Sequence, residues 1–237
     1  MPESAIPPPD PAMLDALVAR FTRDQPLVRG FLRQILVFID ESKMFSNLIH
    51  SVRNRIKDPE HLRDKLTRKY YVAKKSGVAF DITPDNLFTK VADLAGIRLL
   101  HLHTTQIAAI DQELRAIITE QKLALVEPPF ARTWDDEYRE YFRSVGIQPQ
   151  DSATLYTSVH YVLGSNSRTA LTCEIQVRTL MEEVWGEVDH AVNYPVPNEH
   201  VACTEQIRAL ARTTSAATRL VDSIFATVNS LKKKDEP

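Results

Sequence analysis

Residues 172–179 read Thr-Cys-Glu-Ile-Gln-Val-Arg-Thr, and a segment that extends to Tyr194 follows them directly. Between positions 170 and 177 apolar and polar side chains alternate, which is the pattern of a half-buried β-strand. After Thr179 the apolar residues recur every three or four positions instead, which is the spacing of a helix. The stretch therefore predicts a strand that runs into a helix, with Glu174 on the polar face of the strand.

The composition excludes several classes of protein. With 237 residues and 43% hydrophobic side chains, the chain is long enough to bury a core. Its formal net charge of −2 means that attraction for phosphates has to come from a local patch. Two cysteines exclude a disulfide framework and favour a reducing compartment, and no apolar run reaches transmembrane length. We therefore expect a cytoplasmic protein that makes no membrane contact.

Proline content, apolar periodicity and charge divide the chain into four regions. They are a disordered proline-rich leader (1–11), N-terminal helices (12–52), a catalytic region (53–195) and a C-terminal helical extension (196–237). For the catalytic region we expect an α+β fold, with a mixed, largely antiparallel sheet flanked by helices. The excess of amphipathic helix at both ends predicts a homo-oligomer.

Local patterns make more detailed predictions within these regions. Asp58-Pro59 is a helix start, because an acceptor side chain precedes a proline that suits the first helical turn. A strand from Tyr156 to Leu163 should pair with the Glu174 strand in an antiparallel hairpin. The other predicted elements are one long or broken helix at 26–52, a strand at 78–82, helices at 105–122, 135–144 and 199–231, and a flexible loop at 146–155.

The chain has one strongly basic segment. Between Arg53 and Lys75 there are nine lysines and arginines, and on the predicted helix Lys65, Arg68 and Lys69 fall near one face together with His61. Such a run is often only a solvated helix face. The alternative is a phosphate site, because a triphosphate carries about four negative charges and its transfer depends on positioning and charge neutralisation.

Two acidic residues, Asp93 and Glu174, occur beside predicted strands. Each has a simple explanation, since charged side chains usually stay exposed on a strand or at a turn. Magnesium binding is the alternative, because this cation is held by one or two carboxylates together with substrate phosphates and water. On neighbouring strands the two acids would suit one Mg²⁺ ion.

Residues 174–179, with Trp185, Glu187 and His190 behind them, resemble the closing motif of the RelA/SpoT-type alarmone synthetases, Glu-hydrophobic-Gln-hydrophobic-Arg-Thr before a helix with an aromatic residue and a histidine. Residues 93–98 resemble the same family's Asp-hydrophobic-x-Gly-Ile-Arg motif. The resemblance implies a fold similar to nucleotidyltransferases. It also implies transfer of pyrophosphate from ATP to the ribose 3′-hydroxyl of GTP or GDP.

The resemblance further implies roles for individual side chains. Asp93 and Glu174 become the catalytic pair that holds Mg²⁺, and Glu174 is also placed to accept the proton of the attacking hydroxyl. The donor phosphates would be bound by Arg55, Lys57, Lys65 and Arg98. The acceptor would be bound by Tyr156, which stacks on its base, and by His160 and Gln176.

The chain departs from the family pattern at two places. His61 stands where the family has serine, and residues 150–155 lack the lysine and glycine expected before Tyr156. The acceptor therefore stays open between a guanine nucleotide, an adenine nucleotide and the 3′ end of a tRNA. A catalytically silent nucleotide-binding regulatory module is a further alternative. The substrate that Glu187 and His190 approach also stays open.

Overall fold

The computed structural model describes residues 6–152, 154–194 and 198–235, with side chains described up to residue 232. Of the leader expected at 1–11, residues 1–5 lie outside these ranges, residues 6–10 form no helix or strand, and Pro11 already belongs to the first helix. Within the described part of the chain, no helix has both the length and the apolar character that a membrane crossing requires.

The chain begins with one long helix, α1 (Pro11–Asp40), which Asp10 caps by accepting a hydrogen bond from the backbone of Ala12. A single turn, α2 (Phe45–Leu48), follows, and strand β1 (Ser51–Ile56) comes next. The prediction that helix extends to Val52 is therefore wrong. The apolar spacing through Val52 fits a helix, but β1 pairs with a neighbouring strand along its whole length, and this tertiary contact overrides the local pattern.

The described strands form one sheet of seven, in the order β1-β2-β7-β6-β4-β5, with β3 paired to β6. Its parallel pairs are β2 with β7 and β4 with β5, and the remaining pairs are antiparallel. This confirms the predicted α+β fold with a mixed, largely antiparallel sheet. The strands after β1 are β2 (Ala95–His101), β3 (Ala124–Leu125), β4 (Phe130–Thr133), β5 (Gln148–Asp151), β6 (Ser158–Gly164) and β7 (Thr172–Thr179).

Helices flank this sheet, and their buried faces complete a core of leucine, isoleucine, valine and phenylalanine. Asp58 starts α3 as predicted, since its carboxylate accepts from the backbone N–H groups of Glu60 and His61. The helices after α2 are α3 (Pro59–Lys75), α4 (Leu87–Lys90), α5 (Ile107–Glu120), α6 (Asp136–Ser144), α7 (Leu180–Asn193) and α8 (Val201–Asp235).

Two local predictions in the catalytic region are wrong. Residues 78–82 form no strand, and they line a cleft beside α3 instead of joining the sheet. Residues 146–155, expected as a flexible loop, contain β5. This strand includes Pro149 and lies at the edge of the sheet, where a missing N–H is tolerated, so its sequence shows little strand character.

Helix α7 buries its acidic side and exposes its apolar side. Glu182, Glu183 and Trp185 are buried, whereas Val184 and Val188, two of the residues whose spacing predicted the helix, are exposed. The reason is that α7 packs over the face of the sheet that carries arginines. Periodicity therefore located the helix correctly, but the buried face is the opposite one.

Glu182 is expected to make stability depend on pH. Burial raises the pKa of Glu182 to about 8 from an ordinary value of 4.5. Between these two values the folded state holds a proton that the unfolded state releases, so stability should fall as pH rises, by at most about 1.4 kcal/mol per pH unit. Glu182→Gln should remove this slope in urea unfolding measured from pH 5 to 8.5. An unchanged slope would show that Glu182 ionises normally.

Candidate active site

The sheet places its candidate catalytic groups on the face that α7 crosses. In strand register Gly96 of β2 lies opposite Glu174 of β7, and Arg98 lies opposite Gln176. Asp93 occupies a short 3₁₀ turn directly before β2, so it adjoins a strand without belonging to one. Asp93 and Glu174 both line one cleft of about 270 Å³, which is the arrangement expected of a pair that acts together.

Asp93 is held between two lysines. Nζ of Lys57 lies 3.0 Å from Oδ2 of Asp93, and Nζ of Lys65 lies 2.7 Å from Oδ1. Burial alone would raise the pKa of Asp93, but the two ammonium groups keep it below its ordinary value. Burial also lowers the pKa of Lys57, against the attraction of Asp93. Asp93 is therefore an ionised carboxylate whose charge is already balanced by cations.

Glu174 has a different environment, because its hydrogen-bond partners are a histidine and a glutamine. Nδ1 of His160 donates to Oε1 of Glu174 at 3.0 Å, and Nε2 of Gln176 donates to Oε2 at 3.0 Å. Burial alone would raise the pKa of Glu174, but the hydrogen bond and the charge attraction from His160, together with the hydrogen bond from Gln176, keep the pKa below its ordinary value. Both oxygens of an ionised Glu174 are thus fixed in direction.

A cleft of about 870 Å³ opens between β1, α3 and residues 78–82. All four side chains predicted for the donor phosphates line it, together with Asp93. The cleft is more basic than the family motifs alone indicated, because Lys69 also lines it. Burial and the neighbouring charge of Lys65 lower the pKa of Lys69. The cationic lining residues are Arg55, Lys57, Lys65, Arg68, Lys69 and Arg98.

Three rings border the same cleft and join α3 to the end of α7. His190 stacks on Tyr194 with ring centroids 4.6 Å apart, and His61 meets Tyr194 edge-on at 4.9 Å. His61, which replaces a serine of the family pattern, therefore packs against an aromatic ring. His190 and Arg98 also line the smaller clefts, so they lie where the pockets adjoin.

A third pocket, of about 250 Å³, lies beside α7. Tyr156 and Gln176, both predicted to bind the acceptor, line it and are joined by a 3.2 Å hydrogen bond from the Tyr156 hydroxyl. The Trp185 ring lies 6.2 Å from that of Tyr156, and Asn193 donates to Asp189 at 2.8 Å. The pocket therefore offers aromatic surface together with polar groups, as a nucleobase requires.

His160 does not line this pocket. It is buried behind Glu174, and its ring lies parallel to that of Phe130 at 5.1 Å. The sequence prediction placed His160 against the acceptor, whereas the geometry makes it a hydrogen-bond donor to Glu174. Its influence on a substrate would therefore pass through that carboxylate.

Arg178 and Glu183 belong to the site but were not singled out by the sequence. Both are buried and they form an ion pair, and the guanidinium of Arg178 lies 5.7 Å from the centroid of the Tyr156 ring. Glu183 also accepts from Arg98 at 3.1 Å. The sequence gives one sign of this ion pair. Two adjacent acids stand in the first turn of α7, and the small Gly186 follows them, which leaves room for an arginine side chain beside the helix.

Gly186 provides that space, since a Cβ there would lie 2.6 Å from Nη1 of Arg178. Gly186→Ala should push Arg178 away from Glu183 and lower stability by about 1–3 kcal/mol, less the helix preference of alanine. Gly30→Ala is the matched control, because a Cβ at this helical glycine meets nothing within 4 Å. Thermal unfolding should show opposite shifts for the two variants. Equal shifts would mean that Arg178 adjusts without cost.

The family model described as "Region found in RelA / SpoT proteins" matches residues 54–199, which is more than half of the chain. The chain belongs to the RelA/SpoT family. Family membership makes it an enzyme of the pyrophosphotransferase class, carrying a synthetase-type domain. The comparison with curated proteins found no significant match in sequence.

Solved structures of this family share the fold. Small alarmone synthetase 2 from Bacillus subtilis is 17% identical with a TM-score of 0.56, and the alignment covers 89% of this chain and 99% of that one. A GTP pyrophosphokinase family protein from Streptococcus pneumoniae is 19% identical with a TM-score of 0.54, covering 95% and 97%. Small alarmone synthetase 1 from Bacillus subtilis, bound to its product pppGpp, is 16% identical with a TM-score of 0.52, covering 90% and 96%.

Proposed function

We propose that this RelA/SpoT-family enzyme transfers the β,γ-pyrophosphate of ATP to the ribose 3′-hydroxyl of GDP or GTP. The observation that carries the proposal is the position of Asp93 and Glu174 between a large cationic cleft and a smaller aromatic pocket. A triphosphate donor suits the first, and a nucleoside acceptor suits the second. The two acids would then lie where the reacting groups meet.

The donor phosphates are proposed to bind Arg55, Lys57, Lys65 and Arg98. These cations line one cleft together with Asp93, and Lys57 and Lys65 already pair with it, so an anionic donor would meet them in position. Lys57 and Lys65, which now pair with Asp93, would exchange part of that contact for phosphate oxygens. The positive charge is thereby kept at the place where transfer increases negative charge on the phosphate oxygens.

Asp93 and Glu174 fit a magnesium site, because both are ionised carboxylates that face one cleft beside the proposed phosphate site. Mg²⁺ held there would neutralise charge on the donor phosphates. His160 and Gln176 would orient one of the two ligands of this site, because their hydrogen bonds fix the direction of both Glu174 oxygens.

In the proposed reaction the acceptor's O3′ forms a bond to the β-phosphorus while the bond from the β-phosphorus to the α,β-bridging oxygen breaks, so AMP leaves. The proton of the 3′-hydroxyl passes to Glu174. A carboxylate with a lowered pKa is a weak base, so this transfer comes late, when the hydroxyl oxygen has become acidic. Tyr156 would stack on the guanine base, and Gln176 would position the ribose from the floor of the pocket.

The test is to incubate the purified protein with Mg²⁺, ATP and, in turn, GDP, GTP, ADP and deacylated tRNA, and to separate the products by anion exchange. We expect AMP release matched mole for mole by a guanosine tetra- or pentaphosphate. AMP matched by a modified adenine nucleotide or tRNA would overturn the guanine assignment. Glu174→Gln, run in parallel, should show that AMP release depends on the site.

A further inference from the structure

One buried carboxylate, that of Glu183, contacts arginines from two neighbouring strands. Oε1 of Glu183 accepts from Nη1 of Arg98 at 3.1 Å, and Oε2 forms an ion pair with Nη2 of Arg178. Arg98 belongs to β2 and Arg178 to β7, which run parallel to each other. Each oxygen of the carboxylate therefore holds a different arginine, and Glu183 is a bridge between them.

This bridge lies mostly out of water. The side chains of Glu183 and Arg178 are 8% and 3% exposed, and that of Arg98 is 22% exposed. Arg53 also comes within 3.7 Å of Oε1, but it is 61% exposed, so water screens its attraction. Buried charges act on each other more strongly than charges in water. A change at Arg98 should therefore alter how strongly the carboxylate attracts Arg178.

The two bridged arginines serve different halves of the site. Arg98 lines the 870 Å³ cleft and is one of the cations proposed to bind the donor phosphates. Arg178 lines the 250 Å³ pocket, and its guanidinium lies 5.7 Å from the centroid of the Tyr156 ring. In the described part of the chain, Glu183 itself lines neither of them. Its effect on a substrate has to pass through the arginines.

An anionic donor would compete with Glu183 for Arg98, because phosphate oxygens pair with a guanidinium as a carboxylate does. Glu183 would then keep Arg178 as its main buried partner, and their ion pair would tighten. Arg178 has little room beside α7, since a Cβ at Gly186 would lie 2.6 Å from its Nη1. The tighter pair would therefore hold Arg178 against the Tyr156 ring, where the acceptor base is proposed to stack.

We propose that Glu183 is a positioning residue that couples the donor cleft to the acceptor pocket, because a donor that takes Arg98 leaves Glu183 to hold Arg178 in place for the acceptor. The proposal rests on the proposed function, and it names the residue through which one half of the site acts on the other. Coupling between two ligands is reciprocal, so a bound acceptor should strengthen donor binding by the same factor.

The test measures GDP binding to the full-length protein by calorimetry with Mg²⁺, with and without saturating α,β-methylene-ATP, which cannot transfer its pyrophosphate. Wild-type protein should bind GDP about tenfold more tightly with the analogue. In Glu183→Gln this factor should fall below about twofold, because a neutral amide does not transmit the change in charge.

Glu187→Gln is the matched control. Glu187 also accepts from Arg98, but in the described part of the chain it forms no ion pair with Arg178. Its loss removes a partner of Arg98 and leaves the bridge in place, so the factor should stay at about tenfold.

A second variant keeps the test independent of folding. Glu183→Gln leaves the charge of Arg178 buried without its counter-ion, which lowers stability. The double variant Glu183→Gln/Arg178→Gln removes both charges, and its factor should also lie below about twofold. Thermal unfolding of each variant sets a temperature at which all of them are folded for the binding comparison.

A tenfold factor that persists in Glu183→Gln or in the double variant would overturn the proposal. So would an equal loss in Glu183→Gln and Glu187→Gln, because the effect would then belong to Arg98 alone. Independent binding of the two nucleotides to wild-type protein would refute the coupling and leave the proposed reaction in place. If ADP binds in place of GDP with the same dependence on Glu183, the guanine assignment fails and the coupling stands. Wild-type protein that binds neither would refute both.

Discussion

Replacing Glu174 by glutamine is expected to lower kcat about 10³-fold while leaving the fold intact. The change removes the group proposed to accept the 3′-hydroxyl proton, a contribution of about 10²–10⁴ in rate, and one of the two proposed magnesium ligands. The KM for the acceptor should change little, because Tyr156 and its aromatic neighbour remain. Initial rates of AMP formation at saturating substrates measure the effect.

The fold should survive because glutamine can keep both contacts of the carboxylate. Its oxygen can accept from Nε2 of Gln176, and its amide can meet the imidazole of His160 in the other tautomer. Glu205→Gln on α8 is the matched control, since it removes an exposed carboxylate far from the clefts. A Glu174→Gln enzyme with a kcat within a few-fold of wild type would refute the assigned role.

Asp93→Asn is expected to abolish magnesium-dependent turnover and also to reduce stability. Lys57 and Lys65 would lose their shared counter-ion, and the side chain of Lys57 is only 9% exposed. An uncompensated buried charge of this kind costs about 3 kcal/mol, and somewhat less here because Lys65 reaches solvent. Chemical unfolding at neutral pH measures the loss. An unchanged free energy of unfolding would show that Lys57 and Lys65 do not depend on Asp93 for their stability in the folded state.

The pH dependence separates this electrostatic loss from a packing defect. The pKa of Asp93 is lower in the folded state than its ordinary value, so the stabilisation is complete above the ordinary value of 3.8 and is lost as pH falls through the folded value. The wild-type advantage over Asp93→Asn should therefore be constant near neutrality and should shrink below about pH 4. An advantage that persists in acid would indicate lost packing instead.

Much of this site could be predicted because its motifs are local. Asp93 and Glu174 each sit beside a strand whose alternation is clear, and the helix start at Asp58 placed Lys65 correctly. Strand β1 could not be predicted, because the apolar residues through Val52 fit a helix equally well and only pairing with β2 decides between the two. The directions in which the side chains of Arg53 and Arg55 point depend on that pairing.

The buried partners of the site residues could not be predicted from the sequence either. Adjacent acids in the first turn of a helix ordinarily indicate solvent exposure, yet Glu183 is buried because Arg98 and Arg178 face it. Likewise, the family resemblance implied that His160 meets the substrate. Its actual partner, Glu174, follows from the cross-strand register, which no single strand reveals.

The parallel pairing of β2 with β7 bears on when a growing chain becomes active during synthesis. Asp93 and the donor-side lysines leave the ribosome well before β7, and until β7 docks Gly96 is paired only with Arg55 of β1 and Glu174 is missing from its other side. At translation rates of about 5–20 residues per second this interval lasts several seconds. A nascent chain can therefore expose its phosphate-binding cations before it can perform chemistry, and activity should appear only after α7 has emerged and folded over the sheet.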